Sequence, residues 1–286
     1  PEHRKEHGYM KKFPVAIQVY SVRNDAEANL FGTLKKLKDM GYDGVEFAGL
    51  YGHDAAEVAE MLHQYGLIPV SAHVPLEELE TKFDEVAASY KQIGCPYLAV
   101  PYLIHALQPV SGNFEEAISR IEAVAKRYTE AGFIVSYHNH DFEFNKADDK
   151  FLLDWIYETI PAEYLQPQID TCWVHYAGYD PAEYLMKYAG RIKVVHLKDF
   201  VCTKLGNGPV YALIGKDGQE EKKASREDNG FEFRPVGHGI QNMPAILESA
   251  EKAGAEIVIV EQDQSAERPP MEAAKMSREY LKSLGL

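Results

Sequence analysis

Eight short apolar runs, rich in β-branched and aromatic residues, recur along the 286-residue chain. They cover residues 15–21, 44–49, 68–74, 97–102, 133–140, 165–170, 192–199 and 256–263. Amphipathic stretches with helical spacing separate most of them, and several of these end in glycine, as helix C-termini prefer. This alternation predicts βαβ units and a parallel sheet, whose strands are apolar throughout because both faces are covered. Eight units in a chain of this length predict an α/β fold, the (β/α)8 TIM barrel, as a single domain.

A doubly wound open sheet is the alternative fold for alternating strands and helices. Such a sheet normally has fewer strands and a glycine-rich phosphate-binding turn after the first one. Here the first run is followed by SVRNDAEAN, which contains no G-x-G-x-x-G pattern. We therefore favour the closed barrel.

The predicted barrel covers residues 13–286 and follows a charged N-terminal arm, residues 1–12. A long segment, residues 200–240, separates the seventh run from its helix. An insertion of this length in a barrel is typically a lid, a hairpin or a partner contact. For its most polar part, residues 215–230, a mobile solvated loop is an equally good prediction.

The chain is acidic, with a formal charge of -14 and a pI near 5.3. An acidic surface repels a phosphodiester backbone, so the composition argues against nucleic acid as a partner. The apolar runs are well short of the roughly 18 residues that span a bilayer, and the charged first residues do not resemble a signal peptide. Three scattered cysteines without a C-x-x-C pair indicate neither a disulfide framework nor structural zinc. We predict a cytoplasmic protein with no membrane partner.

The ends of the predicted strands are rich in residues that bind metals or transfer protons, and a TIM barrel places its active site at these ends. The residues are Glu46, His73, His138, Asn139, His140, Asp170, His196, Lys198, Asp199, Glu261, Gln262 and Asp263. A single histidine at a strand end is more often structural. Aspartate, glutamate or histidine at four consecutive strand ends indicates a functional site.

Four neighbouring strands converge at the mouth of a barrel, so a His, Asp, His and Glu set there offers mixed nitrogen and oxygen ligands. Such ligation suits manganese, iron, cobalt or zinc, and suits magnesium less well once imidazole is a ligand. Open coordination positions would accept substrate oxygens, as a catalytic site requires. The sequence thus predicts one divalent metal ion as cofactor, with manganese as the first choice.

At these residues the chain resembles the xylose isomerase-like TIM barrels, which include sugar isomerases and epimerases, inosose dehydratase and endonuclease IV. The similarity covers about residues 13–285 and rests on QPQIDTCWVH, VVHLKD, PVGHG and IVIVEQD. In that family, ligands at the ends of the fifth to eighth strands hold one divalent metal. The resemblance implies His138, Asp170, His196 and Glu261 as the metal ligands.

The fifth-strand residue departs from one branch of the family. Ketose 3-epimerases carry a glutamate there, as one of two acid/base carboxylates, whereas this chain has His138, or His140 if the register shifts. SYHNHD is instead similar to the corresponding stretch of inosose dehydratase. The DNA-repair members also need a histidine three residues after the sixth-strand aspartate, where this chain has Trp173. The resemblance therefore argues against an endonuclease and leaves elimination open beside epimerisation.

The activities that the resemblance implies share one step, in which a proton leaves the carbon beside a carbonyl and a metal stabilises the enediolate. We predict an isomerase or epimerase of a sugar or keto-sugar. The alternative is a lyase or dehydratase of the inosose or 3-keto-glycoside type, and the third hypothesis is a non-catalytic sugar-binding barrel. The predicted catalytic residues are Glu261 as ligand and base, His138, and Lys198 as partner of the substrate oxygen or, alternatively, in a salt bridge to Asp199 or Glu261.

Four further residues are predicted to bind substrate. Glu46 and His73 lie on the opposite arc of the predicted mouth, with structural hydrogen bonds as the alternative role. His140 lies beside His138, and His238 belongs to the insertion. The predicted partner is a small-molecule sugar. Barrels with such insertions often pair through them, which predicts a homodimer or homotetramer.

Overall fold

The computed structural model describes residues 12–206 and 225–286. Eight parallel strands close into a barrel in which each strand pairs with its neighbours in sequence. The strands are β1 (Val15–Gln18), β2 (Gly44–Ala48), β3 (Ile68–His73), β4 (Tyr97–Val100), β5 (Ile134–His138), β6 (Gln166–Asp170), β7 (Val194–Leu197) and β8 (Ile257–Val260). Pairing of β8 with β1 closes the barrel, which confirms the predicted TIM fold.

Helices connect the strands and cover the outside of the barrel. They are Arg23–Ala28, Leu30–Met40, Ala55–Tyr65, Leu76–Thr81, Phe83–Ile93, Phe114–Glu130, Leu152–Thr159, Thr171–Tyr176, Pro181–Lys187, Met243–Ala253 and Pro270–Ser283. Single 3-10 turns cover Val19–Val22, His105–Leu107, Pro109–Ser111 and Phe142–Phe144. Two of the predicted glycine stops, Gly41 and Gly254, end their helices with φ of 101° and 95°. None of the described helices is long and apolar enough to cross a membrane.

The strand register brings the polar strand ends to one level. Asp170 at the end of β6 is the Cα partner of His196 on β7, and His196 is in turn the partner of Ile259 on β8. Side chains alternate along a strand, so His196 shares its face with Val194. Val194 belongs to a separate buried cluster, Ala16, Val70, Tyr97, Val194 and Ile259. The same strand faces are therefore apolar toward the amino ends and polar toward the carboxyl ends.

The insertion begins as a short hairpin. Asp199–Val201 pairs antiparallel with Glu232–Arg234. The predicted role of the insertion, as a lid or a partner contact, stays a prediction. Asp199 ties the return of the chain to β7, because its carboxylate accepts hydrogen bonds from the backbone N–H groups of Gly237 at 3.0 Å and Gln241 at 3.1 Å. A Cβ on Gly239 would lie 2.1 Å from Asp199 Oδ1, so this turn of PVGHG requires glycine.

Two sequence predictions lie mostly outside the described residues. The predicted N-terminal arm is described only from residue 12. The polar stretch 215–230 is described only from residue 225. The division of the chain at residue 13 stays a prediction.

Candidate active site

The four predicted metal ligands meet at the carboxyl ends of β5 to β8. One donor atom each from His138, Asp170, His196 and Glu261 lies within 4.8 Å of the other three, and all four residues are buried. His138 Nε2 lies 3.1 Å from Asp170 Oδ2 and 3.5 Å from Glu261 Oε2. His196 Nδ1 lies 2.8 Å from the same Glu261 oxygen. Four donors that converge in this way can hold one cation.

Local structure aims the Asp170 carboxylate at this group. Oδ1 accepts the backbone N–H of Cys172 at 3.0 Å and caps the helix Thr171–Tyr176, which leaves Oδ2 to face His138. The Asn139 side chain accepts the backbone N–H of Asp170 at 2.9 Å. This hydrogen bond holds the end of β5 against the end of β6. It gives Asn139, which lies between His138 and His140, a structural role.

The charge state of the group suits a divalent cation. Burial opposes ionisation of Asp170, but Lys198 and His138 outweigh it and lower the pKa of Asp170 to about 2. Burial also opposes protonation of His138 and His196, yet the neighbouring carboxylates raise the pKa of each imidazole to about 9. The carboxylates therefore impose a negative field that holds protons on two histidines. Two nitrogens and two carboxylates are a donor set for manganese, iron, cobalt or zinc, and a bound cation would take the place of those protons.

Lys198 lies within the same group and is buried. Its Nζ lies 2.8 Å from Asp170 Oδ2, 3.1 Å from Glu261 Oε2 and 3.2 Å from Asp263 Oδ1. The predicted salt bridge to Glu261 is present, while the Asp199 carboxylate is occupied by backbone N–H groups instead. Lys198 also lines the cavity described below, so the geometry allows both predicted roles.

Glu46 lies beneath the metal-ligand group and is fully buried. Its carboxylate accepts hydrogen bonds from Gln18 Nε2 and Gln168 Nε2, each at 2.8 Å. Its Oε1 lies 3.0 Å from His73 Nε2 and 2.9 Å from His196 Nε2. Burial opposes ionisation, but the two histidines outweigh it and hold the pKa of Glu46 well below its usual range. Glu46 does not line the cavity, so its position fits a residue that orients His73 and His196 rather than the predicted substrate contact.

A cavity of about 600 Å³ opens above the metal-ligand group at the mouth of the barrel. The predicted residues His73, His138, His140, Lys198 and Glu261 all line it. The predicted His238 does not: it is exposed in the turn after the hairpin, where its backbone N–H donates to Pro235 O at 2.9 Å. The volume is in the range of small-molecule sites.

Comparison with known proteins identifies the family of this barrel. A family model described as xylose isomerase-like TIM barrel matches residues 34–284. The chain belongs to this family. The resemblance predicted from the strand-end motifs is confirmed.

Curated relatives and solved structures agree with that assignment. Inosose dehydratase of Geobacillus kaustophilus (strain HTA426) is 25% identical over 276 residues, which cover 88% of this chain and 86% of that protein. Inosose dehydratase of Mesomycoplasma hyopneumoniae (strain 7448) is 24% identical and covers 88% of this chain and 87% of that protein.

The solved structures share the fold at lower identity. A sugar phosphate isomerase/epimerase from Parabacteroides distasonis ATCC 8503 has a TM-score of 0.73 at 17% identity, covering 98% of this chain and 96% of that one. The IolI protein with a bound zinc atom has a TM-score of 0.70 at 17% identity, covering 95% and 97%. An L-ribulose 3-epimerase has a TM-score of 0.66 at 15% identity, covering 96% and 95%.

His138 and His140, the two histidines of SYHNHD, have different surroundings. His138 belongs to the metal-ligand group, whereas His140 does not. The His140 ring stacks on Phe142 and lies edge-on to Tyr102, with centroid distances of 5.7 Å and 4.9 Å. Its buried Nδ1 has no hydrogen-bond partner among the described residues. The geometry thus favours His138 as the fifth-strand ligand, and His140 as a side chain that faces the cavity.

Glu143 stabilises the position of His140. The stretch DFEF, residues 141–144, directly follows His140. It forms a 3-10 turn in which Glu143 is fully buried. Glu143 accepts the His140 backbone N–H at 2.8 Å and the Tyr137 hydroxyl at 2.7 Å. Burial raises the pKa of Glu143 to about 8, although both hydrogen bonds oppose the shift.

Glu143→Gln is expected to gain stability over the native protein as the pH rises from about 5 to 8. The folded protein keeps a proton on Glu143 up to about pH 8, whereas the unfolded chain releases it near 4.5. The folded state therefore binds more protons in this window, and native stability falls by up to roughly 1.4 kcal/mol per pH unit. Glutamine mimics the protonated carboxyl and removes this dependence. Urea unfolding at pH 5 and pH 8 measures it, with the exposed Glu57→Gln as control. Equal pH slopes for the native protein and Glu143→Gln would refute the prediction.

Proposed function

We propose that this protein is a divalent-metal-dependent enzyme that removes a proton from the carbon beside the carbonyl of a keto-sugar. The observation that carries the proposal is the convergence of His138, Asp170, His196 and Glu261 beside Lys198, with His138, Glu261 and Lys198 lining one cavity. When bound there, a divalent ion would supply Lewis acidity toward a substrate carbonyl. Manganese is our first choice, because the mixed donor set suits it.

The remaining chemistry belongs to side chains that line the cavity. Lys198 is held cationic, since Asp170 and the other carboxylates outweigh burial and raise its pKa well above the usual range. Its ammonium can donate a hydrogen bond to a substrate oxygen that gains negative charge. Glu261 and the histidines His73, His138 and His140 are among the groups at the cavity surface that can carry the proton.

Elimination is the outcome that the site supports best. An epimerase of the two-carboxylate type would need a carboxylate on the β5 side to face Glu261, and His138 stands there. Among the described residues, the cavity-lining carboxylates are Glu78, Glu261 and Asp263, and Asp263 pairs with Lys198. The curated relatives named inosose dehydratase support the same reading. We therefore propose a dehydratase or lyase that expels a β-hydroxyl or glycosidic oxygen, with an isomerase or epimerase as the second candidate.

Turnover in deuterated water separates these outcomes. The manganese-loaded protein is incubated with a panel of keto-sugars, and products are read by mass spectrometry and NMR. Elimination removes water or an alcohol from the substrate, whereas isomerisation retains the mass apart from deuterium at the α-carbon. Removal of the metal with a chelator is expected to abolish either reaction, and added manganese to restore it. A protein that turns over no substrate and binds no metal would instead be the non-catalytic sugar-binding barrel.

The predicted sugar substrate belongs to this proposal. The predicted dimer or tetramer and the predicted cytoplasmic location stay predictions.

A further inference from the structure

We propose that the substrate carries an anionic group, a carboxylate or a phosphate, and that two arginines at the cavity rim bind it. These are Arg23, just after the first barrel strand, and Arg226, in the insertion after the seventh. Both line the cavity above the metal-ligand group. The inference rests on the proposed function, because it names the class of keto-sugar that the same cavity would accept.

Arg226 has a positive charge that nothing described neutralises. Within residues 12–206 and 225–286 its guanidinium has no carboxylate within 4.0 Å and no hydrogen-bond acceptor. Two other arginines of the described residues are satisfied: Arg234 pairs with Glu232 and Glu267, and Arg278 donates to backbone carbonyls. Because acidic residues outnumber basic ones by 44 to 30, a guanidinium without a carboxylate partner at a cavity is informative.

Aromatic rings order the Arg226 guanidinium without neutralising it. Its Cζ lies 4.9 Å from the centroid of the Trp173 ring and 5.5 Å from that of Phe231. Lys198 Nζ lies 5.2 Å from the same Trp173 centroid. The two cations are therefore at most about 10 Å apart. A sugar bound at the metal-ligand group beside Lys198 can therefore place one charged substituent at Arg226.

Arg23 approaches the cavity from the other side. Its Cζ lies 4.0 Å above the Tyr20 ring, and its Nη1 donates to Tyr20 O at 2.9 Å and to Asp263 O at 2.7 Å. The donors on Nε and Nη2 have no acceptor among the described residues. Arg23 is thus anchored by one nitrogen and keeps donors for a ligand.

An anion is the ligand chemistry that matches these groups. The planar fork of a guanidinium pairs with the two oxygens of a carboxylate or phosphate. Lys198 is already paired with three carboxylates. Among the residues that the structure describes, Glu78 on the β3 side is the one acidic residue that lines the cavity outside that cluster. An overall charge of -14 repels anions, so a site that binds one needs cations of its own.

Three matched keto-sugars test the inference: fructose, fructuronate and fructose 6-phosphate. Their affinities for the manganese-loaded protein are measured by isothermal titration calorimetry. At least one anionic sugar is expected to bind about tenfold more tightly than fructose, and Arg226→Gln to lose that advantage without changing fructose binding. Arg226→Lys should keep part of it, because the charge remains and the fork is lost. Arg234→Gln, in the same hairpin but outside the cavity, is the matched control.

The comparison of the two anions identifies which group the site takes. Equal affinity for all three sugars, or no binding of either anionic sugar, overturns the inference. A preference that persists in Arg226→Gln and in Arg23→Gln also overturns it, because the metal would then be the anion receptor. Metal content and deuterium exchange are measured on the same samples. Loss of the anion preference alone refutes only this inference, whereas loss of metal binding or exchange in the native protein refutes the proposed function.

Discussion

Asp170→Asn is expected to reduce bound manganese from one ion per chain to almost none and to lower kcat/KM about a thousandfold. Asp170 Oδ2 faces both His138 Nε2 and Lys198 Nζ. Asp170 is the member of the metal-ligand group that β6 contributes. An amide cannot supply the negative oxygen that a divalent cation requires, and loss of metal removes several kcal/mol of transition-state stabilisation. The Asn side chain still accepts the Cys172 N–H, so the helix cap is preserved.

Elemental analysis after dialysis measures the bound metal, and steady-state kinetics measure the activity. Asp39→Asn is the matched control, since Asp39 is an exposed aspartate that pairs with Lys35 on an outer helix. Native metal content in Asp170→Asn would contradict the assignment of this ligand. Full activity in a metal-depleted Asp170→Asn protein would contradict metal dependence altogether.

Replacing Lys198 with methionine is expected to destabilise the metal-free protein by about 3–5 kcal/mol and to abolish activity while metal binding is retained. The ammonium is buried among the carboxylates of Asp170, Glu261 and Asp263. Its removal leaves their charges uncompensated in the interior, which is the costly way to break a buried ion pair. A divalent cation supplies the missing positive charge and binds only the folded state, so saturating manganese should recover part of the stability.

Urea unfolding with and without manganese measures this effect, beside metal titration of the folded variant. Lys193→Met is the matched control, because Lys193 lies just before the same strand and makes an exposed pair with Glu256. A Lys198→Met protein that binds no metal would show that the lysine builds the metal site instead of serving the substrate. An unchanged free energy of unfolding would contradict the buried charge network.

The fold and the metal-ligand group were predictable because both follow from periodic features of the sequence. Alternation of strands and helices fixes the barrel, and the barrel brings the ends of neighbouring strands together. Asp170 and His196 therefore had to become neighbours once β6 and β7 were assigned. His138 was harder to distinguish from His140, since residues two positions apart share one face of an extended strand, and the structure separates them only because β5 ends at His138.

Three features that the sequence could not reveal depend on depth and on long-range contacts. Glu46 lies in the middle of β2, and its fully buried side chain lies below the cavity. Glu143 looks like part of a polar loop, because its partners at Tyr137 and His140 appear only when the chain turns back. Arg226 reaches the cavity through the aromatic packing of an insertion whose course no local pattern predicts.

The central claim is that the four converging donors hold one divalent ion at the mouth of the barrel. Anomalous diffraction from crystals of the manganese-loaded protein tests this claim most directly. We expect one anomalous peak, about 2.0–2.3 Å from a donor atom of each of His138, Asp170, His196 and Glu261. No peak at saturating manganese, or a peak more than about 4 Å from these atoms, would contradict the account.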